Sequence, residues 1–261
     1  MALANDSRRS FGRLQSCLLA RLVRDRWLQR QPADEAAEIL FRRAVELRYP
    51  EDKVWGEEQG APSNWSGDGW VIDPVDGTHN FLAGIPLFSI SVAWVKSGEP
   101  QLGWVVDPIR GEWFEAVRGG GVVRGGPGPA PFIKPGTVPV LALSPRWRRK
   151  HPNWRSSLPK PFKERSLGSI ALEMAWISQG RLGAGAWSRG RPWDIAAGVL
   201  LVEESRGRVA FGNGPGRLAV ALDTKPIESS IVAVSATACR WLSPLLQAPS
   251  GPSFDSLHGG E

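Results

Sequence analysis

Five acids define the chemistry open to this sequence. Asp73 and Asp76 lie three apart in "DPVDGTHNF" at 73–81, Glu57 and Glu58 close "GEE" at 56–58, and Asp194 lies far downstream in "PWDIAAG" at 192–198. Hard divalent cations such as Mg²⁺ take several oxygen ligands, often carboxylates together with substrate phosphate. Two such ions about 3.5–4 Å apart can hold both the attacking and the leaving oxygen of a phosphoryl transfer. Pro74 stiffens the turn between Asp73 and Asp76, and Gly77 lets the backbone approach a ligand closely. A helical turn opening at Thr78 would offer free N–H groups to a phosphate. On spacing alone a plainer assignment stands beside this one. D-P-x-D-G also makes a surface turn with solvated acids, Glu57 and Glu58 also read as surface acids, and Asp194 as a helix cap or first-turn acid.

Other chemistries have little to work with. Cys17 and Cys239 are the only cysteines, too few and too distant for a disulfide framework or a thiolate site. His79, His151 and His258 are dispersed, which excludes a histidine zinc site. The net charge of +6 favours acidic partners such as phosphate esters and weakly permits nucleic acid. "RWRRK" at 146–150 is a local basic cluster on an otherwise scattered distribution. No apolar run approaches the ~20 residues of a membrane span, and the N-terminus has no signal-peptide core. The expectation is a reduced, cytoplasmic protein without membrane contact.

The elements that must position the acids follow from the apolar pattern. Phe11, Leu14, Leu18 and Leu22 recur at helical spacing, giving a helix over 10–29. Ala37, Leu40, Phe41, Ala44 and Leu47 make the face of a second helix that Asp34 can cap and Pro50 helps end. "KVWGEE" is a short strand entering an acidic loop, and "GWVID" at 69–73 a strand ending in the DPVDGT turn. Alternating segments over about 87–124 predict an antiparallel sheet. A Gly/Pro-rich crossing at 125–139 follows, then a strand at "VLALS", a helix over about 169–179, a strand near 182–187 and a helix opening at "PWDIAAG". Later strands and a last helix end near Leu246. The domain expectation is an N-terminal α+β lobe over 1–130, a C-terminal α/β lobe over 131–247, and a disordered tail over 248–261.

In this order, "GEE", "DPVDGTHNF" and "PWDIAAG" closely resemble the inositol monophosphatase family, part of the lithium-sensitive, Mg²⁺-dependent phosphomonoesterases. The resemblance runs from about residue 10 to about residue 246. It implies an α/β fold, a layered αβαβα sandwich of the inositol monophosphatase and fructose-1,6-bisphosphatase type, with the site between the lobes. It implies hydrolysis of a small phosphate monoester by in-line attack of a metal-activated water, with no organic cofactor, and a homodimer. Fructose 1,6-bisphosphate, 3′-phosphoadenosine 5′-phosphate and histidinol phosphate are rival substrates to inositol monophosphate. Some bacterial relatives work with transcription or ribosome-assembly machinery, so an RNA-associated interaction protein is the rival of another class.

By the same resemblance Glu57 is a ligand of the first Mg²⁺ with Glu58 its neighbour, Asp73 bridges two ions, the Val75 carbonyl joins the first, and Asp76 and Asp194 hold the second. Gly77 and Thr78 offer N–H groups to the phosphate, the Thr78 hydroxyl touches the attacking water, and Asp34 polarises Thr78. Residues 30–38 read "RQPADEAAE", where Asp34 and Glu38 match the family and Arg30-Gln31 replaces its usual Val-Thr. The segment before Asp34 is short, which puts the family's lid hairpin and optional third metal in doubt. Seven residues before Asp194, where inositol-specific relatives carry an acid, stands Trp187. An indole donates one hydrogen bond and accepts none, so it cannot replace a carboxylate toward a polyol. Trp187 could stack on a substrate ring or simply pack against its loop, and Arg191 nearby could meet a second phosphate.

Overall fold

The computed structural model describes residues 2–127, 138–158, 161–212 and 229–247. Two long helices come first, α1 (Ala2–Leu28) and α2 (Asp34–Arg48). α1 buries Leu19, Ala20 and Val23, while Leu14 and Leu18 of the expected face stay exposed. The reason is Gly12: a Cβ there would stand 2.4 Å from the Trp104 ring, so the glycine brings the helix onto the sheet and turns the face through Gly12, Ser16, Leu19 and Val23 inward. Arg9 and Arg13 of α1 also grip the buried carboxylate of Glu115 at 2.6 and 2.7 Å. α2 buries Ala37, Glu38, Phe41 and Val45, and leaves Leu40 and Leu47 in solvent. Its N-cap is Ala33, so Asp34 is the first helical residue and not the expected cap.

A six-stranded sheet follows, in the order β1 (Val54–Gly56), β2 (Gly69–Asp76), β3 (Ser89–Lys96), β4 (Glu99–Asp107), β5 (Glu112–Val117), β6 (Gly121–Gly125), with the short α3 (Thr78–Leu82) between β2 and β3. β1 and β2 are parallel and the later pairs antiparallel. Alternation along β2 sends Trp70 and Ile72 toward α1 and α2, and Val71 toward the other face.

The second half gives β7 (Val140–Leu143), α4 (Pro145–Lys150), β8 (Lys163–Arg165), α5 (Ile170–Ser178), β9 (Ala184–Trp187), α6 (Pro192–Glu204), β10 (Arg208–Phe211), β11 (Ile231–Val234) and α7 (Cys239–Leu242). Its sheet has the order β10-β11-β9-β7-β8. α5 and α6 are apolar almost all round because they lie between the two sheets: Ala171, Met174, Ile195 and Val199 share one core with Val71, Val105 and Phe114 on one side and Ala142, Ile231 and Ala233 on the other. Trp147, Leu242 and Leu245 cover the outer face of the second sheet through Leu141, Leu143 and Val232. The layers are therefore helix, sheet, helix, sheet, helix, as expected. Both cysteines fall in helices and are half-buried. The expected lobe boundary at 130/131 and the tail at 248–261 lie outside the described residues. Among the described residues no helix is long and apolar enough to cross a membrane.

Candidate metal centre

Parallel pairing of β1 with β2 sets Gly56 opposite Ile72, and the Glu57 N–H donates to the Ile72 carbonyl at 3.3 Å. Glu57, just after β1, and Asp73 and Asp76, in the last part of β2, therefore lie at the same end of the sheet. The turn after β1 is held from below by Glu38, a fully buried residue of α2. Its carboxylate accepts the N–H groups of Glu58 and Gln59 at 2.8 and 3.1 Å and pairs with Arg42. The sequence match had marked Glu38 without giving it a task; the structure makes it the support that aims Glu57.

β2 ends irregularly. Pro74 brings no N–H to the ladder, and the register with β3 shifts between Asp73 and Asp76. Asp73 Oδ1 accepts the Val75 N–H at 2.8 Å, closing a local turn that brings both aspartates to the same side. Gly77 then takes the left-handed conformation, φ 99°, and caps α3. A Cβ at Gly77 would also stand 3.1 and 3.2 Å from the Leu87 and Gly168 carbonyls, so the position needs glycine twice over.

Asp76 is met by the start of α5. Its carboxylate accepts from the Ser169 hydroxyl at 2.5 Å and from the Ala171 and Ile170 N–H groups at 2.8 and 3.3 Å. Asp194 arrives from α6, where its Oδ2 accepts the Arg191 N–H at 3.0 Å, so it is also the first-turn acid that spacing suggested. The three elements converge: one carboxylate oxygen each from Asp73, Asp76 and Asp194 lie within 4.8 Å of one another.

Burial is the main cause of the unusual acidity here. It drives the Asp73 carboxyl well above its ordinary value, with Asp76, Glu57 and Asp194 adding repulsion. It lifts Asp76 to about 6 against its hydrogen bonds, and Asp194 to about 7 with help from the Asp76 charge. Glu57 is raised by burial as well, while Arg191 pulls it down and Asp76 and Asp34 push it up. Asp34 and Glu57 also raise Glu58 after burial. Glu57, Asp73 and Asp194 are thus each raised in part by the charge of neighbouring acids. A buried carboxylate cluster needs protons or a cation, and a set of hard anionic oxygens at this spacing can hold a divalent cation.

Other expected site residues fall differently. The Thr78 hydroxyl donates to the Val75 carbonyl at 3.1 Å, and Asp34 Oδ1 accepts the Ala33 N–H at 3.2 Å, so the expected Thr78–Asp34 hydrogen bond is not formed. Trp187 is a correction. It is 3 % exposed, and its indole N–H donates at 2.6 Å to Glu173, itself buried, so it packs in the core and presents no ring face to a substrate. Arg191 is exposed at the N-cap of α6, with its guanidinium 5.3 Å above the Trp193 ring. Ser169, Glu173 and Asn80, which bonds the Leu87 and Leu167 carbonyls at 2.7 Å, were not singled out from sequence. Only Ser169 carried a signal, as an N-cap residue before an apolar run.

The inositol monophosphatase family model matches residues 30–240. The chain belongs to that family. It is thereby a phosphatase of the Mg²⁺-dependent superfamily in general, and its clustered Asp73, Asp76 and Asp194 are able to hold a divalent cation. Among curated relatives, the Nus factor SuhB of Xylella fastidiosa is 37 % identical over 188 residues, covering 69 % of this chain and 68 % of that protein. The inositol-1-monophosphatase of Mesorhizobium japonicum is 34 % identical over 193 residues, covering 70 % and 71 %. A solved IMPase structure from Thermotoga maritima superposes with a TM-score of 0.73 at 25 % identity, covering 90 % of this chain and 94 % of that one.

The raised acids make a prediction about metal and pH. Each folded-state value lies above its unfolded one, so the folded protein binds more protons between about pH 4 and 7, and the stability these groups contribute is lost as pH rises through that window. A cation takes over from those protons. Saturating Mg²⁺ is therefore expected to raise the melting temperature of metal-stripped protein more at about pH 8 than at about pH 5.5. Thermal unfolding with chelator and with Mg²⁺ at both values measures this. Equal gains would place the ion away from these acids.

Proposed function

We propose that this protein hydrolyses small phosphate monoesters with Mg²⁺. The observation that carries the reading is the convergence of Asp73, Asp76 and Asp194 within 4.8 Å, beside Glu57 and next to the Gly77–Thr78 turn. Glu57, Asp73 and the Val75 carbonyl are assigned to a first ion, and Asp73, Asp76 and Asp194 to a second. The ions supply charge that stabilises the phosphoryl oxygens and activates the attacking water. The protein's own share is to hold the carboxylates rigidly, to present the Gly77 and Thr78 N–H groups to phosphate oxygens, and to place the Thr78 hydroxyl beside the Val75 carbonyl. A cytoplasmic homodimer with lithium sensitivity belongs to this reading by family likeness.

The substrate is set on the leaving-group side. With Trp187 buried, the position that carries an acid in inositol-specific relatives offers no acceptor to a ring hydroxyl. Arg191 stands free of ion pairs among the described residues, braced on Trp193 and close enough to Glu57 to lower its pKa. A guanidinium so placed favours a second phosphate on the leaving group. Bisphosphates such as fructose 1,6-bisphosphate and 3′-phosphoadenosine 5′-phosphate are expected to be cleaved at least as efficiently as inositol 1-phosphate, with Arg191→Ala lowering the ratio of the two kcat/KM values. A strong preference for inositol 1-phosphate that Arg191→Ala leaves untouched would refute the assignment.

A second reading has an observation of its own. Several curated relatives are named Nus factor SuhB, and α4 exposes Arg146, Arg148, Arg149 and Lys150 while Trp147 anchors it inward. Such a face suits an acidic partner. The retained carboxylates favour catalysis, since a binding scaffold has no use for several repelling buried acids.

A further inference from the structure

We infer that Glu173 is a positioning residue that ties together two of the three side chains assigned to the second metal, Asp76 and Asp194. The inference rests on the metal reading above.

Glu173 lies in α5, and the residue is 3 % exposed. Its Oε1 accepts the Leu167 N–H at 2.8 Å, and its Oε2 accepts the Trp187 indole N–H at 2.6 Å. These two bonds reach two different routes to the site. Leu167 opens the stretch Leu167–Gly168–Ser169, which is also fixed by Asn80 of α3 through the Leu167 carbonyl. Ser169 ends that stretch, and its hydroxyl together with the Ala171 N–H holds Asp76. Trp187 is the last residue of β9, and a short turn through the buried Ser188 leads to α6, whose first turn carries Asp194. One carboxylate therefore joins the segment that holds Asp76 to the strand that delivers Asp194. Asp73 is fixed separately by its own turn through Val75, and the turn carrying Glu57 by Glu38.

Burial lifts the Glu173 pKa to about 7 against its hydrogen bonds from Trp187 and Leu167, so the test is run above that pH, where the group is the carboxylate. It is acceptor-only, so it can take both N–H groups. Glutamine keeps the shape but has one acceptor oxygen, and its NH₂ would face an N–H. Glu173→Gln therefore releases one of the two routes. Groups bonded directly to a metal ligand typically alter affinity by about 10- to 100-fold; Glu173 acts one step further out, through Leu167 and Trp187, so its effect is set at the lower end of that range. The effect should be confined to the ion that Asp76 and Asp194 share.

The test is calorimetric titration of metal-stripped protein with Mg²⁺ and with Mn²⁺, alongside thermal unfolding. Wild type is expected to take up two ions, and Asp194→Asn identifies the step that belongs to the second. Glu173→Gln is expected to weaken that step by up to roughly 10-fold and to leave the other nearly unchanged. Trp187→Phe, which removes the indole N–H together with part of the buried ring volume, should shift the same step in the same direction, with thermal unfolding reporting the packing loss separately, and it serves if Glu173→Gln does not fold. The Trp187 bond is one of the two that Glu173 makes, so the losses of the two variants on that step should be less than additive. Equal weakening of both steps, or no change in either, overturns the inference while leaving the metal reading intact. A wild type that binds no ion overturns both.

Discussion

Asp73→Asn is expected to lower turnover at ordinary Mg²⁺ concentrations by at least about 100-fold, since changes one step removed from a metal already cost roughly 10- to 100-fold. Asp194→Asn should behave alike. The same substitution should stabilise the metal-free protein. Asp73 is 2 % exposed and faces Asp76, Glu57 and Asp194, so its charge is repelled and desolvated in the folded state. Asparagine keeps the oxygen that accepts the Val75 N–H at 2.8 Å and removes the charge. Loss of activity with a raised melting temperature in chelator marks a site that holds strained charge for function. A folded Asp73→Asn protein with wild-type turnover would end the two-metal reading. The variant also separates the rival reading: salt-sensitive RNA binding that survives it would belong to the basic face of α4 and not to the acids.

How much was legible beforehand depends on how far each feature is encoded locally. The strands and most helices follow from alternation and 3.6-residue spacing, whereas the five-layer order was implied by the family resemblance. The exposed faces of α1 and α2 were misjudged because several helical registers fit the same leucines. For α1 what decides is Gly12 against Trp104, and for α2 the buried Glu38 that reaches the turn after β1, contacts between residues far apart in sequence. The clustering of Asp73, Asp76 and Asp194 was legible because short motifs carry them. Their supports were not. Ser169 meets Asp76, Glu38 meets the Glu58 turn and Glu173 meets Trp187 across long stretches of chain, and no periodicity announces such pairs. Trp187 shows the converse: a position where relatives carry an acid, occupied here by a side chain that folds inward because a buried carboxylate takes its N–H.

Thr78→Ala is expected to lower turnover about 10²-fold, the usual scale for losing help with a proton transfer. Asp34→Asn should fall in the same direction, and the pair decides how the help is given. In the structure the Thr78 hydroxyl donates to the Val75 carbonyl, and one Asp34 oxygen accepts the Ala33 N–H. The other Asp34 oxygen and the hydroxyl's lone pairs keep bonding capacity. If the two residues form a unit during turnover, the double variant should be little worse than the worse single one. If the losses multiply, they act apart. Thr78 would then serve the Val75 carbonyl, an assigned ligand of the first ion. Asp34 would serve as a charge beside Glu57 and Glu58, whose pKa values it raises. The pH dependence of kcat/KM then tells the roles apart. Removing the Asp34 charge lowers the Glu57 pKa and moves the acid limb toward lower pH, whereas removing a hydroxyl that only orients leaves the limb in place.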